Sequence, residues 1–445
     1  MQIDIKNIDS YKLKELKEIA KDLGIKLISQ YKKKELIDEI LKAYDEKKDQ
    51  GKYEQEDNDD SFDLGEKFDC KGILDLHEDG FGFLRTNNFE PSNEDIYVSP
   101  KQVKMFRLKT GDFIKGIARV KRDRDKFPPL IFVSDVNGLK PGDAFNRSNF
   151  DTLTPIYPKE KLTLETGKES ISQRIIDVVA PIGKGQRGLI VSQPKAGKTT
   201  LIKDIELALE KNYDNLKILV LLIDERPEEV TDFKRFVNQY RDPQNELIRT
   251  EVAASTFDQT PQNHINVAEL VVERAKRLVE DKKDVVILLD SITRLSRAHN
   301  IMTPQSGRTL SGGLDPLALV GPKKFFGAAR NIEDGGSLTI IATSLVDTGS
   351  RMDDMIYEEF KGTGNMEIHL SRDLAQKRVF PAIDIEKSST RKEELLLSKD
   401  ELDAMYKIRR RGSKDKLDLT HQFIDFMRRT KSNKDFISLI NKTFQ

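Results

Sequence analysis

The chain has 445 residues, of which 37% are apolar and 34% are charged. Its 75 basic and 75 acidic residues cancel, so a nucleic-acid partner would need a local basic surface. The single cysteine, Cys70, excludes internal disulfides and cysteine-based zinc sites. The length allows about three domains. Because no apolar run is long enough to cross a bilayer and no signal peptide is present, we expect a soluble, cytoplasmic protein without a membrane partner.

The N-terminal region separates into two segments. Residues 1–43 carry apolar residues at helical spacing on both sides of Gly24, which predicts a small helical unit. This pattern fits an assembly or spacer role as well as a nucleic-acid role. Residues 44–66 are acidic and nearly free of apolar side chains, so we expect a disordered linker.

Residues 67–140 read as short alternating strands separated by glycine and proline, which predicts a small β-barrel. Residues 101–126 contain ten Lys or Arg and three acids, so one edge of this barrel is basic. A connector, residues 141–165, follows.

The segment GFGFLR places Phe81, Phe83 and Arg85 on one face of a strand, because side chains alternate along a strand. Aromatic rings beside an arginine form a stacking surface for unpaired bases. Tyr97 adds a ring, and Asp95 adds a carboxylate that could accept hydrogen bonds from a base edge. Phenylalanine in a strand usually belongs to a core, but the basic stretch favours single-stranded nucleic acid.

Residues 166–445 repeat strand, loop and helix, with continuously apolar strands typical of a parallel sheet covered on both faces. The segment SQPKAGKTT (192–200) resembles a phosphate-binding loop, although Ser192 stands where a glycine is usual. In such a loop Gly197 allows close approach, Lys198 supplies charge and the Thr199 hydroxyl suits Mg²⁺. The alternative, a chance G-K-T turn, is disfavoured by the flanking strand and helix.

Acids end two of the apolar strands. Asp290 ends DVVILLD, at the sheet edge where ligands of open α/β sheets bind, and could hold Mg²⁺ through water. Glu225 ends LKILVLLIDE and could orient or deprotonate an attacking water. Together with the loop they favour nucleotide hydrolysis over binding alone. Arg378 and Arg391 could place positive charge against the γ-phosphate, either in the same chain or from a neighbouring subunit. The alternative is that they are ordinary surface arginines.

Two later loops have the polar, flexible and basic composition expected of loops that grip a strand. They are TPQSGRTLSGG (303–313), with Arg308, and VDTGSRMDD (346–354), with Arg351. Ordinary surface loops are the alternative.

Longer strings carry a more specific signal. GFGFLR, DIYVSP, RGLIVSQPKAGKT, LLIDERPEEVT, VVILLDSITRLSRAHN and EEFKGTGNMEIHLSR occur in this order. The chain resembles the Rho family of transcription termination factors from its N-terminal helices to its C-terminus, apart from the acidic linker. The resemblance implies an OB-fold or cold-shock-like barrel, a RecA-type ATPase core and a homohexameric ring. It also implies RNA-stimulated ATP hydrolysis, 5′-to-3′ translocation along RNA and release of the nascent transcript from RNA polymerase. In this family a small residue commonly replaces the first glycine of the loop.

The resemblance and the motifs assign roles by position. The expected nucleotide-binding residues are Lys195, Ala196, Gly197, Lys198, Thr199, Thr200, Arg226, Asp290 and Phe380, the last against adenine. The expected catalytic residues are Glu225, Lys198, Arg378 and Arg391, the last acting as an arginine finger from the adjacent subunit. The expected Mg²⁺ ligands are Thr199 and Asp290, partly through water. The expected RNA-binding residues are Phe81, Phe83, Arg85, Asp95, Tyr97, Arg308 and Arg351.

The chain departs from the family pattern in two places beyond the linker. Arg308 and Arg351 stand where better-known members have lysine, and the segment near 237–250 is longer than expected by about ten residues. Two other functions fit parts of this sequence: a DNA helicase of RecA type, and a cold-shock-type binding protein whose ATPase acts as an assembly switch. The RNA-type barrel argues against the first, and the pair of Glu225 and Arg391 argues against the second.

Overall fold

The structure, a computed structural model, describes isolated positions between 16 and 40 and residues 66–87, 89–123, 125–144, 147–239, 250–411 and 416–443. The chain divides into two compact units, Met1–Gly65 and Glu66–Gln445. In the first unit Leu16, Leu36 and Ile40 are helical and buried. Apart from those isolated positions, the predicted unit 1–43 lies outside the described residues, as do the linker up to Gly65 and residues 240–249 of the longer segment.

Five antiparallel strands form the first sheet. They are β1 (Lys67–Leu76), β2 (Gly82–Arg85), β3 (Ile96–Val98), β4 (Phe113–Arg119) and β5 (Leu130–Val136). Their order is β3-β2-β1-β4-β5, and Tyr97 bridges Pro129 so that β3 and the start of β5 close the sheet into a small barrel. The side chains that alternate inward, such as Leu74, Leu84 and Ile114, form its apolar core. The predicted OB-like barrel is therefore confirmed.

One helix connects β3 to β4 in this barrel. Helix α1 (Pro100–Phe106) begins at a capping box, in which the Ser99 hydroxyl accepts from the Gln102 backbone N–H and the Gln102 side chain accepts from the Ser99 N–H. Helix α2 (Pro141–Ala144) follows β5.

Within the described residues, the larger sheet has nine strands. They are β6 (Pro155–Ile156), β7 (Arg187–Ser192), β8 (Lys217–Glu225), β9 (Thr250–Thr256), β10 (Asp284–Asp290), β11 (Arg330–Ile332), β12 (Ser337–Leu345), β13 (Met366–Leu370) and β14 (Ile383–Thr390). The remaining helices are α3 (Ile171–Val179), α4 (Lys198–Asn212), α5 (Pro227–Gln239), α6 (Pro261–Glu280), α7 (Ile292–Met302), α8 (Val320–Gly327), α9 (Arg351–Lys361), α10 (Arg372–Gln376), α11 (Lys399–Arg411), α12 (Lys416–Arg428) and α13 (Asn433–Thr443).

The main path through this sheet is β14-β13-β7-β12-β10-β8-β9, parallel throughout except for β14. Its central strands are buried along nearly their whole length, because helices cover both faces with two apolar clusters. The predicted RecA-type α/β architecture is confirmed. No helix within the described ranges is long and apolar enough to span a membrane.

The parallel register sets where functional groups gather. Ser192 at the end of β7 pairs with Leu345 of β12 and Leu370 of β13, while Asp290 of β10 pairs with Leu222 of β8. The loops after these strands therefore meet at one edge, called here the carboxyl edge.

A buried polar network joins the barrel to the larger sheet. The Asp112 carboxylate accepts hydrogen bonds from the guanidinium of Arg147 and from the Asn137 side chain (2.7 Å). Arg274 on α6 donates to the Asn137 side-chain oxygen at 2.6 Å. Gly111, just before β4, packs so closely on the α6 backbone that an added Cβ would lie 2.5 Å from the Arg274 nitrogen. The barrel is thus tied directly to α6.

Candidate nucleotide and nucleic-acid sites

The phosphate loop connects β7 to α4. Ser192 is the buried last residue of β7 and donates its hydroxyl to the Gln193 carbonyl at 2.9 Å. The left-handed turns of the loop occur instead at Lys195 (φ 66°) and Gly197 (φ 98°). A serine therefore serves at the first position because extended backbone there does not require glycine.

Lys198, the first residue of α4, lies between two carboxylates. Its Nζ contacts Glu225 Oε1 at 3.1 Å and also pairs with Asp290 Oδ1. Burial lowers the pKa of Lys198, but the two carboxylates outweigh burial and raise it, so the ammonium stays charged. Burial is also the main cause that raises the pKa of Glu225, against the lowering effect of Lys198. Both carboxylates that the motifs predicted at this edge thus contact Lys198.

A second layer of side chains surrounds Glu225. Arg294 on α7 approaches Glu225 Oε1 at 3.6 Å and Asp224 Oδ2 at 3.7 Å. His264 Nδ1 lies 2.6 Å from the Ser255 hydroxyl, and its Nε2 lies 4.0 Å from Asp224. Burial lowers the pKa of His264, which favours the neutral ring. These groups constrain the strand end that carries Glu225.

The donor set beside Lys198 fits a hard cation. Asp290 is buried, and its Oδ1 accepts from the Thr343 hydroxyl at 2.8 Å, which orients the carboxylate. The half-buried Thr199 supplies a hydroxyl at the start of α4. In the described part of the chain no cluster of three or more His, Cys, Asp or Glu forms a metal cage. One or two protein oxygens, completed by water and substrate phosphates, are the pattern that Mg²⁺ prefers.

The other expected nucleotide-binding residues surround this loop. Ala196 is buried, whereas Lys195, Thr200 and Arg226 are exposed. The Arg372 N–H that begins α10 donates to the Gln193 side chain at 3.2 Å, so the segment after α10 lies beside the loop. That segment carries the exposed side chains of Arg378 and Phe380.

Arg391 lies at the opposite edge of the sheet. Its backbone N–H donates to the Asn365 carbonyl at 2.8 Å, and the Asn365 N–H donates to the carbonyl of Arg187, the first residue of β7. Burial first, then the charges of Arg330 and Arg391, lower the pKa of Arg187. The length of β7 separates Arg391 from the phosphate loop by about 17 Å. This distance exceeds the reach of an arginine side chain.

An aromatic cluster occupies one face of the barrel. Phe81, Phe83 and Tyr97 have ring centroids 5.7–6.1 Å apart. The ring of Phe127 lies 4.9 Å from that of Phe83, and His77 stacks on Phe81 at 4.6 Å. Each predicted ring is half-buried, so part of each side chain remains exposed to solvent.

On the same barrel, Asp95 is buried and forms an ion pair with Arg85. Its side chain is 1% exposed and accepts from Arg85 Nη1 at 2.5 Å. Arg85 is also held by Asp75 at 2.6 Å and lies 5.5 Å from the Phe83 ring centroid. The buried Asp95 carboxylate therefore holds the Arg85 guanidinium beside the aromatic cluster.

The loops carrying Arg308 and Arg351 lie together at the carboxyl edge. Both arginines are exposed, and Gly312 of the first loop packs against the backbone of Met352 in the second. Arg297 on α7 forms a bidentate ion pair with Asp353 at 2.7 Å. Helix α7 begins two residues after Asp290, so it links the candidate metal ligand to both loops.

Sequence reasoning missed several residues of these sites. Phe127 and His77 lie in turns without strand periodicity, so no pattern marked them. Arg294, His264 and Thr343 come from different elements that only the folded sheet brings together. The sequence VVILLDSITRLSRAHN includes Arg294. The helical periodicity of this segment alone does not show that Arg294 faces Glu225.

Comparison with known proteins identifies the family. Three family models match: "Rho termination factor, N-terminal domain" over residues 8–48, "Rho termination factor, RNA-binding domain" over 70–142, and "ATP synthase alpha/beta family, nucleotide-binding domain" over 172–390. The chain is 51% identical to transcription termination factor Rho of Bacillus subtilis (strain 168), with 100% of the chain and 97% of that protein covered. The chain belongs to the Rho family of transcription termination factors. Rho of Escherichia coli (strain K12) is 46% identical, over 96% of this chain and 97% of that protein.

Solved structures support the fold of this Rho-family chain. A type III secretion ATPase matches with a TM-score of 0.54 and 23% identity, over 66% of this chain and 88% of that one. The ATP synthase subunit NeqB from Nanoarcheaum equitans matches with a TM-score of 0.51 and 17% identity, over 65% of this chain and 77% of that one. At these identities the likeness shows a shared ATPase fold only. The Rho relatives and the matched domains show that the chain is an ATP-hydrolysing enzyme with an RNA-binding domain. It is an RNA-dependent ATPase that acts in transcription termination.

Proposed function

We propose that the chain assembles into a homohexameric ring that binds single-stranded nascent RNA and moves along it in the 5′-to-3′ direction. Hydrolysis of ATP with Mg²⁺ drives this movement, which releases the transcript from the RNA polymerase elongation complex. A protein with these substrates works in the cytoplasm and needs no membrane partner. The observation that carries the proposal is the separation of Arg391 from Lys198 across the sheet. Each chain carries the two halves of the hydrolysis site at opposite edges of its sheet. A ring of subunits arranged head to tail would bring the two halves of neighbouring chains together.

In this proposal the chain's own groups divide the chemistry at the carboxyl edge. Backbone N–H groups of residues 195–200 and the Lys198 ammonium hold the phosphates, and Phe380 stacks on adenine. Glu225, whose pKa burial raises, orients the water and accepts its proton. Bound Mg²⁺, held by Thr199 and through water by Asp290, would offset phosphate charge. Arg226 and Arg378 lie near the nucleotide, and Arg391 of the adjacent subunit stabilises the γ-phosphate charge.

RNA is proposed to contact two regions. Phe81, Phe83 and Tyr97 stack on bases of the captured strand, beside Arg85, which Asp95 orients. Arg308 and Arg351 project from the paired loops and grip the strand in the ring channel. The contact of Arg297 with Asp353 supports transmission from the hydrolysis site to these loops.

The domain boundaries also remain a proposal. We assign residues 1–43 to a helical unit, 44–66 to a linker, 67–140 to the RNA-binding barrel, 141–165 to a connector and 166–445 to the ATPase domain. The direct polar contacts of the barrel with α6 support treating barrel and ATPase as coupled parts of one unit.

The test is ATP hydrolysis by the Glu225→Gln variant. Because the amide cannot accept the proton, we expect turnover in the presence of a long, unstructured, cytosine-rich RNA to fall by about 10²–10⁴-fold. RNA binding should be unchanged. The matched control is Glu228→Gln, an exposed carboxylate in the first turn of α5. Turnover retained by the Glu225 variant would overturn this assignment, and stimulation of the parent chain by DNA alone would favour a DNA motor.

A further inference from the structure

A second candidate site lies between the barrel and the ATPase core. A cavity of about 630 Å³ is lined on one side by β1, β4 and the end of β5, and on the other by α5, β9 and α6. Its volume falls within the range of ligand sites, roughly 300–1,000 Å³. None of the nucleotide residues assigned above lines it.

Positive charge dominates this cavity. Lys71 and Lys115 line it from the barrel, and Lys217, Lys234, Arg274 and Lys283 line it from the ATPase core. Among the described lining residues the carboxylates are Asp135 and Glu251. One Asp135 oxygen already accepts from the Gly138 N–H at 2.7 Å. The excess of cations selects for an anionic occupant.

The cations are arranged at a cost to the fold. Lys71 and Lys115 are directly paired across β1 and β4, where like charges destabilise a sheet. Burial first, then the charge of Lys283, lowers the pKa of Lys217. Arg274 is 7% exposed, and its buried Nε has no hydrogen-bond partner among the described residues. Phosphate oxygens would relieve the repulsion between these cations.

The cavity continues from the aromatic cluster. Arg85 belongs to both, since it lies 5.5 Å from the Phe83 ring centroid and also lines the cavity. Phe83 pairs with Asp75 on β1, and Lys71 lies four residues back along the same strand, about 13 Å away. A strand of a few nucleotides covers this distance, within the roughly 4–16 nucleotides that one such barrel binds.

We propose that this cavity is a phosphate-binding extension of the aromatic cluster, which holds the sugar–phosphate backbone of the single-stranded RNA whose bases stack on Phe83. The inference rests on the proposed RNA binding by the barrel. It gives the barrel a contact that senses strand length and charge, and places RNA phosphates against α5, β9 and α6 of the ATPase core.

The first test is chemical labelling of lysines in the full-length chain, read by mass spectrometry. A twelve-nucleotide oligocytidylate should lower the labelling of Lys71, Lys115, Lys234 and Lys283 several-fold. A cytidine dinucleotide, which fills only the aromatic cluster, should leave these lysines reactive. The exposed Lys101 and Lys104 of α1 do not line the cavity and serve as internal controls. If sodium tripolyphosphate lowers the labelling of these lysines and RNA does not, the proposal is overturned. The occupant of the cavity would then be a free polyphosphate.

The second test uses the double variant Lys71→Gln/Lys115→Gln, compared with Lys101→Gln/Lys104→Gln. Loss of two phosphate contacts should reduce the slope of log affinity against log salt by about 1.4 for the twelve-nucleotide RNA. The control pair should keep the parent slope. If RNA binding depends on Phe83 while the cavity variant keeps both affinity and slope, this inference fails and the proposed function stands. If the RNA does not bind the parent chain, the proposed function itself fails.

Discussion

Glu206 is a buried carboxyl group on α4, the helix that follows the phosphate loop. Its Oε1 lies 2.8 Å from the Thr250 hydroxyl, which lies equally close to Glu210 Oε2. The Thr250 hydroxyl has one proton to donate, so it serves only one of these carboxylates at a time and offsets the burial of Glu206 only in part. In agreement, burial raises the pKa of Glu206 to about 7.

The variant Glu206→Gln should therefore change how stability depends on pH. In the parent chain the folded state binds this proton more tightly than the unfolded state, whose pKa is near 4.5. The contribution of Glu206 to stability is then fully present below pH 4.5 and declines as pH rises to about 7. The amide does not ionise, so at pH 8 we expect a gain on the order of 2–3 kcal/mol in the free energy of unfolding.

Denaturant unfolding between pH 5 and 8 measures this gain. The control is Glu358→Gln, an exposed carboxylate on α9, which should keep the parent's pH profile. A constant difference between Glu206→Gln and the parent over this range would show that Glu206 has no raised pKa.

At the scale of elements, the turn before β4 packs directly against the backbone of the ATPase core. Gly111 has a φ of 88°, and a Cβ there would lie 2.4 Å from the backbone carbon of Glu273 on α6. Helix α6 cannot yield locally without disturbing its own hydrogen bonds. The glycine thus meets two demands, backbone conformation and close packing.

The variant Gly111→Ala should separate the barrel from α6. We expect a loss of about 1 kcal/mol from the left-handed backbone, and a further loss from the contact with α6. Stimulation of ATP hydrolysis by RNA should fall more than basal hydrolysis, because the barrel no longer sits against the core. Unfolding and ATPase assays with and without RNA measure both effects.

Gly138→Ala is the matched control for the stability effect. Gly138 has a φ of 89°, and the space around its Cβ position is open within 4 Å among the described residues. It should show the backbone cost alone. Equal destabilisation by both variants would mean that packing against α6 contributes nothing.

The distribution of catalytic groups over the whole molecule makes a prediction about assembly. Lys198 and Glu225 lie at the carboxyl edge of the sheet, whereas Arg391 lies at the amino edge. If neighbours complete each site, mixing the inactive variants Glu225→Gln and Arg391→Ala should restore hydrolysis. In random mixing about a quarter of the interfaces combine an intact Glu225 with an intact Arg391.

ATP hydrolysis by the mixture, after subunit exchange, is compared with each variant alone. Activity above the sum of the two is the expected result. The mixture could instead be as inactive as each variant alone, although mass spectrometry shows that subunits have exchanged. That result would mean that Arg391 acts within its own chain or not at all.

Much of this molecule is determined by local sequence. The alternation in GFGFLR, the apolar runs of the parallel strands and the loop SQPKAGKTT each specify their element, because periodicity and turn chemistry act over a few residues. For the same reason Lys198, Glu225 and Asp290 were predicted at strand or helix ends on one edge. The Rho-type strings then predicted the family.

Only the tertiary structure decided how these pieces meet. Asp95 proved to be buried beneath Arg85, and Phe127 joined the aromatic cluster from a turn. The sheet register put Arg391 at the edge opposite Lys198, and the docking of the barrel on α6 created the cationic cavity. These contacts join residues that are far apart in the chain. Burial and the register of strand pairing set their positions, because local propensity acts only over a few residues.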